Sequence, residues 1–384
     1  MSTDDALLIS LFAVPKIPEI QAGDNLAIVI SRSIRAAGIE LRDGDIVTVA
    51  SKVVAKAEGR FVPIATRADR EGLITEQSHR VVAERSSSGG ITQIVESAAG
   101  PVMAAAGIDT SNVPTGYALL LPHDADSSAA AIRNGLHERF GVDLGVIVTD
   151  TSSRPWRQGV TDFALGSSGV VLLDDLRGRQ DALGSELKVT VRALADEIAS
   201  AADLVKEKSR GLPVALVRGL GRWVVSGGVG GQDSGSLNRT EATDWFRFGH
   251  VEAIRSSLGL RTGEVDPPPA DADHDDVPSR VNRAIAVATA GTSPLPGLAA
   301  WSLRSRSAGA VVRISLSEGG LHRLEASEPG AHPLMVATLA LGSLIQRLET
   351  ALWAEGLTGR PHTSWRPDGR VDVVEVHVAT RRQH

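Results

Sequence analysis

The chain has 384 residues, more than the roughly 250–300 at which one hydrophobic core stops growing, so two domains are expected. A formal net charge of -6 argues against a general nucleic-acid binder, and no apolar run reaches the roughly 18 residues of a membrane span. The absence of cysteine excludes disulfides and thiolate metal sites, so any metal must be held by oxygen or histidine.

In chain order, "MSTDDALLIS" lacks the basic region and long apolar segment of a secretory signal, and a cytoplasmic protein is the expectation. "LRDGDIVTVASKVVAKAEGR" turns at Asp43-Gly44-Asp45 and then runs as a Val/Ile/Thr-rich strand to Ala50, with Lys52 and Lys56 beyond it. Residues 71–86 are polar and expected to be helical, with "SSSGG" at 86–90 a loop. "PVMAAAGIDTSNV" and "YALLLP" read as an apolar segment, a polar turn and a strand. "SSAAAIRNGLHERFG" reads as a helix that begins at Ser127 or Ser128 and stops at Gly141.

The stretch "GVIVTDTSSRPWRQG" follows, an apolar strand that is expected to end at Asp150 and Thr151, with Arg154 and Arg157 just after. "ELKVTVRALADEIASAADLVKEK" begins as a strand and acquires helical spacing through Leu194, Ile198 and Ala202; "LPVALVRGL" is another buried strand. The glycine-rich 226–236 lacks the G-K-[ST] ending of a phosphate-binding loop. The prolines and acids of "GEVDPPPADADHDDVPS" favour an extended linker. Beyond it a helix is expected around "MVATLALGSLIQRLETALWAEG" and a strand at "RVDVVEVHVA". The expected division is a main domain over 1–245, a junction and linker over 246–280, and a small α+β domain over 281–384.

Three carboxylates stand beside small or polar residues in expected loops: Asp109 in "AGIDTSN", Asp150 in "VTDTSSR" and Glu207 in "KEKSRG". Hard divalent cations take such oxygens and add phosphate oxygens and water. Were these acids to converge with Thr151, their mutual repulsion would require a cation. Singly, each has an ordinary role as a turn, cap or solvated helix end. Lys52 and Lys56 suit phosphate or mere solubility, and Arg154 and Arg157 suit an anion clamp or pairing with nearby acids. Asp196 and Glu197 read as an exposed helix face, and His123 as a loop histidine without a metal-binding partner.

The ordered segments "IPEIQAGDNLA", "RDGDIVTVASKVVAKAEGR", "AAAGIDTSNV", "LLLPHDADSSA", "GVIVTDTSSRPWRQGVTDFALGSSGV", "RQDALGSEL", "ADEIASAADLVKEK" and "LPVALVRGL" resemble the coenzyme F420 gamma-glutamyl ligase family over roughly residues 8–245. The resemblance implies a mixed α/β (α+β) ligase fold, an intertwined homodimer, and GTP-dependent joining of L-glutamate to coenzyme F420-0, with gamma-linked extension of the tail. It places nucleotide contacts on Pro15, Lys16, Ile17, Pro18, Ser51, Lys56 and Asn112, and on the loop Val205, Lys206, Glu207, Lys208, Ser209, Arg210, Gly211 and Leu212. It places two divalent cations, Mg²⁺ or Mn²⁺, on Asp109 with Asp150 and on Thr151 with Glu207, with K⁺ as an optional further ion. Lys56, Arg154 and Arg157 are the expected catalytic cations.

Residues 244–260 and the C-terminal helices resemble a shortened form of the FMN-binding, nitroreductase-like domain fused to actinobacterial ligases. The shortening argues for a flavin-free packing or regulatory domain. Two other functions fit the same residues: amide ligation to another phosphorylated carboxylate acceptor, and a non-catalytic scaffold for F420 precursors.

Overall fold

Two runs rich in β-branched residues, 46–50 and 145–149, lie side by side in parallel in the computed structural model, and they set the frame of the N-terminal part of the chain. The structure describes residues 8–380 except 88–89, 156, 208–209, 226–233, 240–243, 245, 247–248, 261–264, 267–274, 291–298, 307–308, 317–332, 356 and 366–370. It divides into two units, Met1–Arg80 with Ile94–Trp245, and Val81–Gln93 with Phe246–His384.

The first unit opens with β1 (Ser10–Ala13), α1 (Leu26–Ala36), β2 (Ile46–Ala50) and α2 (Ser51–Ala57), then β3 (Phe61–Pro63) and α3 (Arg67–Glu76). Strands β4 (Ser78–Ser87), β5 (Gly90–Ser97) and β6 (Val102–Ala104) form a small sheet, and β7 (Tyr117–Leu119) pairs with β3. There follow α4 (Ala125–Phe140), β8 (Gly145–Arg154), β9 (Arg157–Ser168), β10 (Leu173–Asp175), β11 (Val191–Ala193), α5 (Leu194–Lys206) and β12 (Val214–Arg218). The main sheet runs β1-β12-β2-β8-β9, with β2–β8 parallel and its other pairs antiparallel.

Both faces of that sheet are covered, which explains the near-continuous apolar strands. Val47, Val49, Val146, Val148, Val214 and Leu216 face α1, α2 and α4, meeting Ile30, Ile34, Val54, Ile132 and Leu136. The alternate residues Ile46, Ile147, Ala215 and Val217 face α5, meeting Leu194, Ile198 and Ala202. Small residues let α4 approach closely: a Cβ on Gly166 of β9 would fall 2.3 Å from the Ala125 backbone.

Several expectations shift. Helix α4 begins at Ala125, earlier than expected, because Asp124 and not Ser127 is the cap, its carboxylate accepting from the Ser127 amide at 2.8 Å; Gly141 ends the helix in the left-handed conformation, as its sequence position implies. The helix expected over 71–86 stops at Glu76. Thr66 and Asp69 form a capping box that starts α3 early, and 78–87 is drawn into a strand by pairing with β5. Of the loop expected at 86–90, Ser86 and Ser87 belong to β4 and Gly90 to β5, and 88–89 lie outside the described residues. The apolar strand that starts at Gly145 does not end at Asp150 but continues to Arg154, held by its antiparallel partner β9.

In the second unit α6 (His250–Ser257), α7 (Val277–Thr289) and α8 (Pro333–Ala354) accompany a wholly antiparallel sheet of β13 (Ala299–Arg306), β14 (Gly309–Leu316), β16 (Val371–Thr380) and β15 (Leu357–Trp365), in that order. Its core joins Val281, Ala284 and Val287 of α7 to Leu344, Leu348 and Leu352 of α8 and to Val312, Ile314, Val374 and Val376 of the sheet. Arg347 ties the end of α7 down by donating to the carbonyls of Ala288 and Ala290 at 2.9 Å each. The linker expected over 246–280 is partly ordered. Its apolar residues supply α6 and the buried Leu260 to this core, while 261–264 and 267–274 lie outside the described residues. The hairpin segment 81–93 also belongs to this unit, although it lies within the expected main domain; pairing at long range, unmarked locally, puts it there.

Candidate functional site

The site lies where β2 and β8 reach their carboxyl ends, the usual position for ligands on a sheet with parallel strands and helices on both faces. A cavity of about 450 Å³ opens there, within the range of small-molecule sites. Its floor is Ala50 and Ser51 at the β2–α2 junction, Thr149, Asp150 and Thr151 of β8, and Pro213 ahead of β12. Because side chains alternate along a strand, Thr149 and Thr151 share the face of Ile147, toward α5, whereas Asp150 shares the face of Val148, toward α2. A register shift between Val148 and Thr149 marks a bulge beside these residues.

The family resemblance implied nucleotide and metal roles for residues far apart in the chain, and most of them meet here. Ile17, Pro18, Ser51, Lys56, Asp109, Asn112, Asp150, Thr151, Lys206, Glu207, Gly211 and Leu212 all line the cavity. Pro15 and Lys16 lead into it, and the Lys16 carbonyl is held by the Ser33 hydroxyl at 3.1 Å. Val205 packs instead against the α5-side core, and Arg210 is exposed and pairs with Glu207 at 3.3 Å. Lys208 and Ser209 lie outside the described residues.

Arg154 and Arg157 are not brought to the cavity. They face one another in register at the exposed end of the β8–β9 hairpin. Four residues of strand separate Arg154 from Asp150, about 13 Å at the usual rise. The extension of β8 thus places both arginines outside the lining of this cavity.

Two walls differ in how they are held. On the α2 side, Lys52 meets Asp109 at 2.6 Å and donates to the Ser111 carbonyl at 2.7 Å and hydroxyl at 2.9 Å. Burial alone would raise the Asp109 pKa, but Lys52 and the Ser111 amide, 2.6 Å away, hold it below the ordinary carboxylate value. Lys56, itself buried, pairs with the exposed Glu19. On the α5 side, Lys206 is buried against Asp162 and donates to the Thr149 hydroxyl at 2.6 Å. Asp162 also accepts from Thr149 at 2.9 Å and from Thr151 at 2.8 Å.

Backbone strain gathers around the same place. Among the described residues, the non-glycine positions with positive φ are Lys16, Ala105, Ala106, Asn112 and Glu207. Asn112 and Glu207 line the cavity, Lys16 precedes its rim, and Ala105 and Ala106 precede Asp109. Each such residue costs of order 1–3 kcal/mol, and such strain clusters at functional sites.

Charge decides what the cavity can accept. Its described lining includes Glu19, Asp109, Asp150, Asp162, Asp203 and Glu207 against Lys52, Lys56 and Lys206, and each lysine is matched to one carboxylate. Glu207 is met in turn by Arg210, and a polyanion brought among so many carboxylates would need cations beside it. The donors are hard oxygens, suited to Mg²⁺ or Mn²⁺. Among the described residues no three Asp, Glu or His side chains form a ready-made metal cage.

Sequence reasoning missed Glu19, Ser111, Thr149, Asp162 and Asp203, and left Lys52 between phosphate binding and solubility without seeing its pairing with Asp109. The signal for Asp162 lies only in register, since it is the cross-strand partner of Thr151.

Residues 15–219 match the family described as F420-0:Gamma-glutamyl ligase. The chain is 42% identical over 220 residues to a coenzyme F420:L-glutamate ligase of Methanopyrus kandleri, covering 54% of this chain and 85% of the relative. It is 40% identical over 229 residues to the protein of that name from Archaeoglobus fulgidus, covering 55% and 88% respectively. A third relative of that name, from Haloarcula marismortui, is 38% identical over 231 residues, covering 54% and 86%. With its cavity formed by residues inside the matched span, the chain belongs to the F420-0:gamma-glutamyl ligase family.

Proposed function

We propose that the chain joins the amine of L-glutamate to the carboxylate of coenzyme F420-0, with GTP as the energy source. The observation that carries this reading is the convergence of Asp109, Asp150, Thr151, Glu207 and Lys56, from four separate parts of the chain, on one cavity. The names of the relatives support glutamate and the F420 acceptor as substrates.

A carboxylate is a poor acylating agent. In the proposed sequence an oxygen of the acceptor carboxylate attacks the γ-phosphorus of GTP, the bond to the β-phosphate oxygen breaks, and GDP leaves. The glutamate amine then attacks the carbonyl carbon of the acyl phosphate, inorganic phosphate departs with the bonding pair, and the amine gives up a proton. Asp109 and Asp150 would hold one divalent ion, and Thr151 and Glu207 a second; such ions, when bound, neutralise charge on the transferring phosphoryl group. Lys56 is placed to exchange Glu19 for a phosphate oxygen, since its present partner is largely in solvent. The second step also needs water kept from the acyl phosphate, for which it competes with the amine.

The test is mass spectrometry of F420-0 incubated with the full chain, GTP, Mg²⁺ or Mn²⁺ and glutamate. The expected product carries one added glutamyl residue or more, with phosphate released only when both acceptor and glutamate are present. Absence of product and of phosphate release under every combination overturns the reading.

A further inference from the structure

We propose that Asp162 is a positioning residue, acting through Thr151, with Lys206 as its fixed counter-ion; this rests on the ligase reading above. Asp162 and Thr151 are directly opposite on β9 and β8, and the Thr151 hydroxyl donates to one Asp162 oxygen at 2.8 Å. The other Asp162 oxygen takes the Thr149 hydroxyl at 2.9 Å and the Lys206 ammonium. Lys206 also donates to Thr149 at 2.6 Å. Four side chains from β8, β9 and the last residue of α5 thus close one network, and Asp162, Thr149 and Lys206 are almost wholly buried.

The consequence for Thr151 is one of proton direction. A hydroxyl has a single proton, and a carboxylate only accepts. With that proton given to Asp162, Thr151 offers the cavity lone pairs alone. It can serve a cation or an N–H donor and would oppose a phosphate oxygen. The same network ties β8, which carries Asp150 and Thr151, to the end of α5 immediately before the strained Glu207. Asp162 is not left as a competing ligand, because Lys206 and two hydroxyls occupy its oxygens. Carboxylates that orient a metal-facing group in this way typically matter by about 10- to 100-fold in affinity or activity.

A double-mutant cycle separates this role from simple support of the fold. Mn²⁺ is titrated into the full chain with saturating GDP and followed by loss of the free-ion paramagnetic resonance signal, for the parent, Asp162→Asn, Thr151→Val and the pair, with product formation measured alongside. Asp162→Asn and Thr151→Val should each weaken Mn²⁺ uptake by about 10- to 100-fold, and the pair should be no weaker than Thr151→Val alone. Losses that multiply, or an Asp162→Asn chain that takes up Mn²⁺ like the parent, overturn the proposal. So does a parent that makes product without taking up Mn²⁺. A parent that neither takes up Mn²⁺ nor makes product instead defeats the ligase reading itself. If Asp162→Asn does not fold, with Lys206 left buried and unmatched, Asp162→Asn with Lys206→Met replaces it and Lys206→Met becomes the reference background.

Discussion

On the α2 side of the cavity Lys52 meets Asp109 and Lys56 meets Glu19, with the two carboxylates 39% and 72% exposed; on the α5 side Lys206 meets Asp162, each 5% exposed. The chemistry is the same and the surroundings are opposite. Near water an ion pair gains little and exchanges readily, so these lysines can trade a carboxylate for a ligand phosphate. Away from water, breaking the pair leaves a charge with no solvent to receive it. The first wall is thus suited to taking up and releasing ligand, and the second to keeping β8 and α5 in fixed relation.

The largest expected effect lies where the walls meet. Asp150 shares its strand with Thr151 but faces α2, so Asp150→Asn should lower GTP-dependent glutamylation by at least about 100-fold while the circular dichroism spectrum is unchanged. Near-normal product formation would remove Asp150 from the machinery. Next comes the contrast in stability. Lys206→Met should cost about 3–5 kcal/mol, as an uncompensated Asp162 remains buried, whereas Lys56→Met should cost about 1 kcal/mol or less. Urea midpoints measured side by side check this, and equal costs would erase the distinction between the walls.

Acid separates them further. Lys52 and the Ser111 amide hold the Asp109 carboxyl below the ordinary carboxylate value, so its contribution is present above that value and is lost as pH falls through its depressed folded value. The difference in Tm between the parent and Asp109→Asn should therefore stay constant from about pH 8 to pH 5 and shrink in the acid range. A difference that peaks at low pH would show that Lys52 is not what holds Asp109 ionised.

Much of the frame was legible because it is written locally. The strand 46–50, the change from strand to helix near 193 and the Gly141 stop each rest on neighbouring residues. The convergence of Asp109, Asp150 and Glu207 came from family resemblance; nothing in their spacing requires it. Arg154 and Arg157 looked close to Asp150 because four residues are few in a loop, but an extended strand carries them away. Asp162 was hidden for the opposite reason. In "GVTDFALG" it resembles any hairpin acid, and its meaning comes from the register that sets it against Thr151 and from Lys206, 44 positions away. Fold-level pairing, absent from any local window, decides where both sets of residues lie.

Asp196 gives the smallest effect and the sharpest control. It belongs to the same helix as Lys206 and accepts from the Ala164 amide of β9 at 2.9 Å, yet burial outweighs that bond and raises its pKa above 3.8. A carboxyl raised in the folded state opposes folding once ionised: the penalty is absent below the ordinary value, grows as pH rises through it, and is complete above the folded value. Asp196→Asn keeps an oxygen for the Ala164 amide and removes the charge. It should raise Tm slightly at pH 7 and leave it unchanged below about pH 3.5. Loss of Asp162, more deeply buried on the neighbouring strand and faced by Lys206, should instead destabilise the fold. If Asp196→Asn lowered Tm equally at both pH values, burial would not be governing charge on this face, and the contrast between the two walls would lose its physical basis.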